Sequence, residues 1–295
     1  MSPNPMQRCS VHRRRLLSGL TLIASMGARV SPAAEPAERW IVPNSYVAEI
    51  VVALGGAARI VATGGGTDHI TELKGVPRLP GFRQTSAEPM LSLAPTRLVA
   101  SNEWTVPQVL EQMRAAGVKV DLLDPEQTPA GVERRIRAVA RLMGREAAGE
   151  SLAAGFRTEL AEVRALVARQ SRRPRALFVL AGGGRPTLVG GRGTNVAALL
   201  ELAGAANVAD GIEGFKVMSV EAMVEAAPEF ILTNREGTVT SDGVPVALKA
   251  PGAQATPAGR EGRLITVGNE YLQGMGILTP RGVKALAVQM HPGLK

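Results

Sequence analysis

The sequence predicts an α/β protein with two similar lobes joined by one long helix, and two observations indicate this class. Residues 86–101 (SAEPMLSLAPTRLVAS) and 219–234 (SVEAMVEAAPEFILTN) carry Ser, Glu, Met and Ala-Pro at the same places, 133 residues apart. Between the two copies, residues 128–174 have apolar residues at helical spacing and no strand signal. A duplicated unit with a helical connector favours two separate, mostly parallel sheets over one continuous sheet.

Each copy of the motif predicts a short helix followed by a buried strand. Serine is a common N-cap, and the Glu two residues later lies in the first turn, where the helix dipole stabilises an anion. Ala-Pro ends the helix because the residue before proline avoids the α conformation. The apolar runs that follow, RLVA and EFILT, are typical of buried strands.

A second likeness lies upstream of the motif. Residues 47–61 resemble residues 196–209, and both predict an apolar helix that ends at a glycine, Gly55 or Gly204. The offset here is 149 residues. The first half therefore contains an additional loop, GGGTDHITELKGVPRLPG.

The connecting helix is predicted from about residue 144 to residue 170. At 1.5 Å per residue it is about 40 Å long, which is enough to reach from one lobe to the other. The predicted division is a signal peptide at 1–34, a first lobe at 35–143, the connecting helix at 144–172 and a second lobe at 173–295.

The first 34 residues have the pattern of an export signal. A basic HRRRLL segment precedes an apolar stretch, residues 16–28, that is too short to span a membrane, and SPAAEP offers small residues for cleavage. We expect a periplasmic protein exported by the Sec or the twin-arginine route; the alternative is a disordered basic tail. The sole cysteine, Cys9, precedes the apolar stretch, so the mature chain is expected to contain no disulfide.

Charge and motifs argue against two classes of protein, nucleic-acid-binding proteins and enzymes. The formal charge is +8, but residues 1–34 contribute five Arg and no acid, so +3 remains. With no basic–aromatic stripe, a nucleic-acid partner is not expected. The sequence contains no HExxH, GxSxG or CxxC, and the Gly-rich segment 182–195 lacks the complete phosphate-binding motifs. These motifs therefore give no indication of an enzyme, and we expect the protein to be a monomer.

Several of these stretches resemble a known family. The order and spacing of RIVATGGG, GFRQTSAEPMLSLAPTRLVAS, TLVGGRGTNVAALLELAGAANVA and GIEGFKVMSVEAMVEAAPEFIL are similar to those of class III substrate-binding proteins of ABC importers. Among these, the sequence is most similar to periplasmic hemin-binding, HmuT-like proteins. The resemblance implies a ligand cleft between the lobes, hemin or a related tetrapyrrole as the transported ligand, and no resident cofactor. It also implies that Glu88 and Glu221 dock onto basic residues of an ABC permease.

The chain departs from this family at the iron ligands. Hemin carriers of this type hold iron through a Tyr in a GYxRQxSAE-like stretch, whereas Phe82 stands at that place here and Arg83 remains. The histidine that some relatives carry after the second-lobe strand is also missing. His69, in the additional loop, is the first candidate to replace them as an iron ligand, and Tyr271, in a loop that could face the cleft, is an alternative. A corrinoid or a ferric siderophore, which arrives with its iron already coordinated, stays open as the alternative ligand, and an exported enzyme as a remote one.

The other candidate ligand residues follow from what a porphyrin offers. Its apolar face needs apolar or aromatic walls, and its carboxylates need cations. In α/β proteins ligands gather beyond the carboxyl ends of the strands. We therefore predict a site formed by Phe82, Arg83, Trp104, Arg185, Lys216, Arg235, Tyr271 and Met275.

Overall fold

The fold was analysed in a computed structural model, which describes residues 38–80, 86–101, 106–181, 187–234 and 243–294. The predicted signal peptide lies outside these residues. Within them, no helix combines the length and the apolar character that crossing a membrane would require.

The described residues form two separate sheets, as the duplicated motif predicts. The first sheet has the order β2-β1-β3-β4 and is parallel throughout. Its strands are β1 (Trp40–Val42), β2 (Ile60–Thr63), β3 (Arg97–Ser101) and β4 (Lys119–Leu123).

The second sheet repeats this arrangement and adds an antiparallel arm. Its order is β10-β9-β5-β6-β8, and β7 pairs with the beginning of β5. The path β7-β5-β9-β10 is parallel and corresponds to β2-β1-β3-β4, whereas β6 and β8 pair in antiparallel fashion. The strands are β5 (Arg175–Leu180), β6 (Leu188–Gly190), β7 (Ala206–Asn207), β8 (Phe215–Lys216), β9 (Phe230–Asn234) and β10 (Leu264–Val267).

Helices flank the sheets. Four belong to the first half of the chain: α1 (Ser45–Ala53), α2 (Ala87–Leu91), α3 (Pro107–Ala115) and α4 (Pro129–Met143). Six follow: α5 (Glu146–Ala168), α6 (Asn195–Leu202), α7 (Val220–Ala226), α8 (Pro257–Arg260), α9 (Asn269–Leu272) and α10 (Thr279–Met290).

The repeated motif forms a short helix and a buried strand in both lobes. Among the described residues, Ser219 accepts a capping hydrogen bond from the backbone N–H of Ala222, whereas Ser86 accepts none, because the equivalent residue is Pro89, which has no N–H. Strands β3 and β9 begin and end at positions 133 residues apart. Met90 of α2 and Met223 of α7 are both buried in the core of their lobes. Ala94 and Ala227, the residues before the two prolines, have φ values of +46° and +39°, which residues other than glycine rarely adopt. The sequence repeat is therefore also a repeat of unusual backbone geometry.

An arginine closes the end of the motif helix in each lobe. The Arg39 side chain donates to the carbonyl oxygens of Leu93 and Ala94, and the Arg175 side chain donates to that of Ala226. Ala226 is the last residue of α7, whereas Leu93 and Ala94 lie in the turn directly after α2. Carbonyls at the end of a helix lack a partner within the helix, and a cation is favourable there. Each arginine lies at the start of a central strand, so it fixes the helix to its own sheet.

Helix α5 packs on the cores of both lobes. With 23 residues it is about 35 Å long. Its residues Ala153, Phe156 and Leu160 belong to the core of the first lobe, whereas Val163 belongs to the core of the second. It lies inside the predicted range of 144–172 and joins the two cores physically.

Candidate ligand-binding site

Loops that follow the carboxyl ends of strands from both sheets contact one another. The loop after β2 contains Gly66 and His69, and the segment after β10 contains Glu270 and Gln273. A Cβ atom on Gly66, whose φ is +81°, would lie 2.5 Å from the Cγ atom of Gln273. The absence of a side chain at Gly66 therefore allows the close approach of the two loops. We call this junction the interlobe seam.

Side chains hold the carboxyl ends of the central strands. The Asn44 Oδ1 atom accepts a hydrogen bond of 2.8 Å from the backbone N–H of Ser101, at the end of β3. In the second sheet, the Thr233 hydroxyl donates to the carbonyl oxygen of Val179 at 2.8 Å. The starting points of the strand-end loops are therefore tied to neighbouring strands or helices.

A carboxylate and an imidazole form a pair at the interlobe seam. The Nε2 atom of His69 lies 2.9 Å from the Oε1 atom of Glu49, which is 5% exposed. The hydrogen bond to Glu49 raises the pKa of His69, and burial opposes this. Burial raises the pKa of Glu49, and the bond to His69 opposes it. The hydrogen bond to Glu49 therefore keeps His69 protonated to higher pH than an unpaired histidine.

The hydrogen bonds of His69 affect whether it can serve as an iron ligand. One ring nitrogen is bonded to Glu49, and the imidazole also hydrogen bonds to the backbone of Gly66. Ligation of iron requires a free nitrogen lone pair, so one of these bonds would have to break first. The sequence analysis did not select Glu49, although a single acid within the apolar helix VAEIVVA was a usable signal.

Met275 lies in the core and not on an open surface. It is 1% exposed and packs in the first-lobe core, although it belongs to the segment between α9 and α10. Its backbone N–H donates to Gln127 Oε1 at 2.7 Å, and its carbonyl accepts from Arg135 Nη2 at 2.6 Å. In this conformation Met275 fastens the second-half segment onto the first lobe, and its side chain does not line a cleft.

Arg135 is a second charged residue that the sequence analysis missed. It is fully buried on α4, and its Nη1 atom also donates to the carbonyls of Asp124 and Glu126 at 2.9 and 2.8 Å. Its guanidinium lies 5.1 Å from the centre of the Tyr46 ring, a cation–π contact. In the sequence, the feature that indicates a buried arginine is a cation on the apolar face of a predicted helix, next to Ile136 and Val139.

The other two described candidates for ligand contact occupy different settings. Tyr271 is half-buried on α9, and its ring packs so closely on Gly282 of α10 that a Cβ atom there would lie 2.5 Å from the ring. Burial raises the pKa of Tyr271. Lys216 is exposed on β8, in the antiparallel arm. Tyr271 is thus next to the interlobe seam, and Lys216 has no ion-pair partner within the part of the chain that the structure describes.

Five predicted ligand residues lie outside the described residues: Phe82, Arg83, Trp104, Arg185 and Arg235. Three of them follow strand ends in the sequence. Trp104 comes three residues after the end of β3, Arg185 five after the end of β5, and Arg235 directly after β9. Their roles stay a prediction from the sequence.

A groove of about 840 Å³ lies between the start of α4 and α6. The small side chains of Ala197 and Ala198 leave space along α6, and Arg173 and Arg192 contribute cations. The sequence offered no signal for this groove, because it depends on how the two lobes meet. Among the described residues, no three His, Cys, Asp or Glu side chains cluster as a metal site.

The two predicted docking residues are exposed. Glu88 and Glu221 lie in the first turns of α2 and α7. Among the described residues, neither carboxylate has a hydrogen-bond or ion-pair partner. Both are therefore available to a basic partner, one on each lobe.

Comparison with known proteins identifies the family. The model of the periplasmic binding protein family matches residues 41–271. No curated protein matches the chain in sequence.

Solved structures that resemble this fold include periplasmic heme-binding proteins. The periplasmic heme-binding protein RhuT from Roseiflexus sp. RS-1, in its apo form, is 33% identical, with a TM-score of 0.82 over 88% of this chain and 100% of that chain. A periplasmic heme-binding protein from Pseudomonas aeruginosa is 31% identical, with a TM-score of 0.80 over 88% and 94%.

A third structure contains its ligand. The periplasmic heme-binding protein BhuT, in complex with two hemes, is 32% identical, with a TM-score of 0.80 over 88% of this chain and 100% of that one. The family and these structures are binding proteins, and the match spans both sheets and the connecting helix. The chain belongs to the periplasmic binding protein family.

Proposed function

We propose that the mature protein binds hemin or a related tetrapyrrole between its two lobes and delivers it to an ABC importer. The observation that carries the proposal is the likeness to three heme-binding proteins, at 31–33% identity over 88% of the chain. The lobes, which we assign to residues 35–143 and 173–295, provide strand-end loops on both sides of the interlobe seam. The protein acts by stoichiometric binding, without turnover.

The ligand is held chiefly through its apolar face and its carboxylates. Phe82 has no oxygen to ligate iron, and His69 is already bonded to Glu49. Arg83, Arg185, Lys216 and Arg235 provide the cations for the carboxylates. Iron then contributes little to affinity, which separates this carrier from relatives with a tyrosine ligand.

Titration of the purified protein with hemin and with metal-free protoporphyrin IX tests this. We expect saturable 1:1 changes in the Soret absorption for both ligands. Their dissociation constants should lie within about tenfold of each other, or about 1.4 kcal/mol, because no protein ligand to the iron distinguishes them. His69→Ala should leave both dissociation constants unchanged. A much tighter complex with hemin, lost in His69→Ala, would make His69 the iron ligand.

A corrinoid or ferric siderophore is the second candidate, and the observation that favours it is Phe82 in place of the tyrosine. Such a ligand quenches tryptophan fluorescence without a Soret shift. Saturable quenching by cyanocobalamin or a ferric hydroxamate, with no saturable change on adding hemin, would replace the tetrapyrrole proposal.

Export and docking complete the proposal. We propose that residues 1–34 direct the protein to the periplasm and are removed there, which N-terminal sequencing of the mature protein tests. Glu88 and Glu221 then engage basic residues of the permease. The double variant Glu88→Ala/Glu221→Ala should bind hemin normally and fail to support hemin uptake; normal uptake would disprove the docking role.

A further inference from the structure

The two motif helices have different surfaces, although their backbones repeat. Seven large apolar side chains are exposed among the described residues, and four of them, Phe215, Val217, Val220 and Val224, lie within ten residues of one another in the sequence. The equivalent helix of the first lobe has Ala87, which is buried, where α7 has Val220, and Leu91, half-buried, where α7 has Val224. The repeated fold therefore does not require the exposed valines.

Two of these valines, Val220 and Val224, lie on α7 with its exposed carboxylates, and Val217 lies just before the helix. Val217, Val220 and Val224 are 66%, 45% and 40% exposed. Successive residues turn by about 100° around a helix, so Val220 and Val224 share one side, between the buried Met223 and the exposed Glu221 and Glu225. We call the three residues the valine patch.

The valine patch adjoins a small apolar cavity. About 120 Å³ lies between β6, α7 and the turn at residues 250–251, lined by Val189, Val217, Met218, Met223, Ala250, Pro251 and Thr187. Val217 belongs to both the patch and the cavity. The cavity is large enough for one aliphatic side chain, and well-packed pockets of this kind typically hold the strongest contacts of an interface.

The charges beside the valine patch indicate the sign of the partner. Among the described residues, Glu221 and Glu225 take part in no ion pair, and both are exposed. Carboxylates next to exposed apolar side chains suit a protein surface in which an aliphatic side chain is surrounded by Lys or Arg.

We propose that the valine patch and its cavity anchor the second lobe on the permease subunit it contacts, by receiving an aliphatic side chain between basic residues. The inference rests on the proposed function and goes beyond it, because it makes the two docking contacts unequal. The first lobe contributes a charge contact through Glu88, whereas the second contributes charge and apolar burial.

The test uses valine-to-threonine changes, which keep the shape of the side chain. The patch variant is Val217→Thr/Val220→Thr/Val224→Thr. The control is Val288→Thr, on α10, where the valine is 41% exposed and remote in sequence from the patch. Each buried methyl group contributes about fourfold to affinity, so the patch variant should dock roughly fiftyfold more weakly.

Hemin-dependent growth is measured in the native host, with each variant as the only copy of the gene and its periplasmic amount checked by immunoblot. The patch variant should bind hemin and unfold thermally like the control, yet need much more hemin for growth. Overexpression should restore growth, because it compensates for weak docking.

Two outcomes would overturn this inference and leave the proposed function intact. One is growth of the patch variant equal to that of Val288→Thr. The other is a wild-type dimer in sedimentation that the patch variant loses, which would assign the surface to a second copy of this chain. If the wild-type protein neither binds hemin nor supports growth on it, the proposed function fails, and the inference fails with it.

Discussion

Replacing Arg135 by Met should destabilise the protein strongly, because Arg135 joins the segment between α9 and α10 to the first lobe. Its guanidinium donates three hydrogen bonds of 2.6–2.9 Å, to the carbonyls of Asp124, Glu126 and Met275. Met fills a similar volume and removes the buried charge. The substitution therefore relieves the desolvation cost of that charge and leaves the carbonyls without their donor.

The size of the expected destabilisation follows from the carbonyl oxygens that lose their hydrogen-bond donor. The Met275 carbonyl belongs to a buried residue, and leaving such an acceptor unpaired costs about 1–3 kcal/mol. The other two carbonyls lie in a more exposed loop, where water replaces part of the loss. Together with the lost cation–π contact to Tyr46, these losses should lower the free energy of unfolding by about 3 kcal/mol in total. For a protein of this size that lowers Tm by roughly 6–12 °C.

The matched control is Arg137→Met on the same helix. Arg137 makes partly exposed ion pairs with Glu133 and Glu150, and exposed pairs contribute at most about 1 kcal/mol. Thermal unfolding by circular dichroism compares the two variants, and hydrogen exchange reports the Met275 amide, which should lose protection in Arg135→Met. Equal, small Tm shifts in both variants, with the Met275 amide still protected, would refute the reasoning.

Three further predictions concern single sites. Phe82→Tyr should tighten binding of ferric hemin and not of protoporphyrin IX, because it supplies an oxygen ligand; equal effects on both in titrations would contradict this. Glu49→Gln should lower the pKa of His69 in an NMR titration, since the bond to Glu49 is the main cause that raises it. The pKa of His69 is higher in the folded protein than in the unfolded chain, so the pair stabilises the fold at pH values below the unfolded pKa of His69. As the pH rises through the folded pKa of His69, the wild-type protein should lose this stability relative to Glu49→Gln. An unchanged pKa would rule out this account. Ala227→Gly should raise the free energy of unfolding by about 1 kcal/mol, since φ at Ala227 is +39°. The control Ala222→Gly, within α7, should lower the free energy of unfolding by a similar amount. If chemical denaturation shows that both substitutions lower the free energy of unfolding, the prediction is wrong.

The duplicated motif carried most of the information about the fold. Ser-x-Glu, Met and Ala-Pro are local signals for a helix start, a buried face and a helix end, so they predicted α2, α7 and the strands after them from neighbouring residues alone. The small-residue ends at Gly55 and Gly204 are equally local, and both have positive φ. The unusual φ of Ala94 and Ala227 was not predicted, because alanine carries no sign of it.

The sequence by itself determined that two like units are joined by a long helix, because periodicity and helix boundaries depend on residues close together in the chain. Only the tertiary structure decided what lies where the units meet. Glu49 meets His69 across 20 residues, and Arg135 meets Met275 across 140. Such pairs depend on how two surfaces pack, and no local pattern records that. For the same reason Met275, chosen as a cleft residue from its loop, packs in the core of the first lobe.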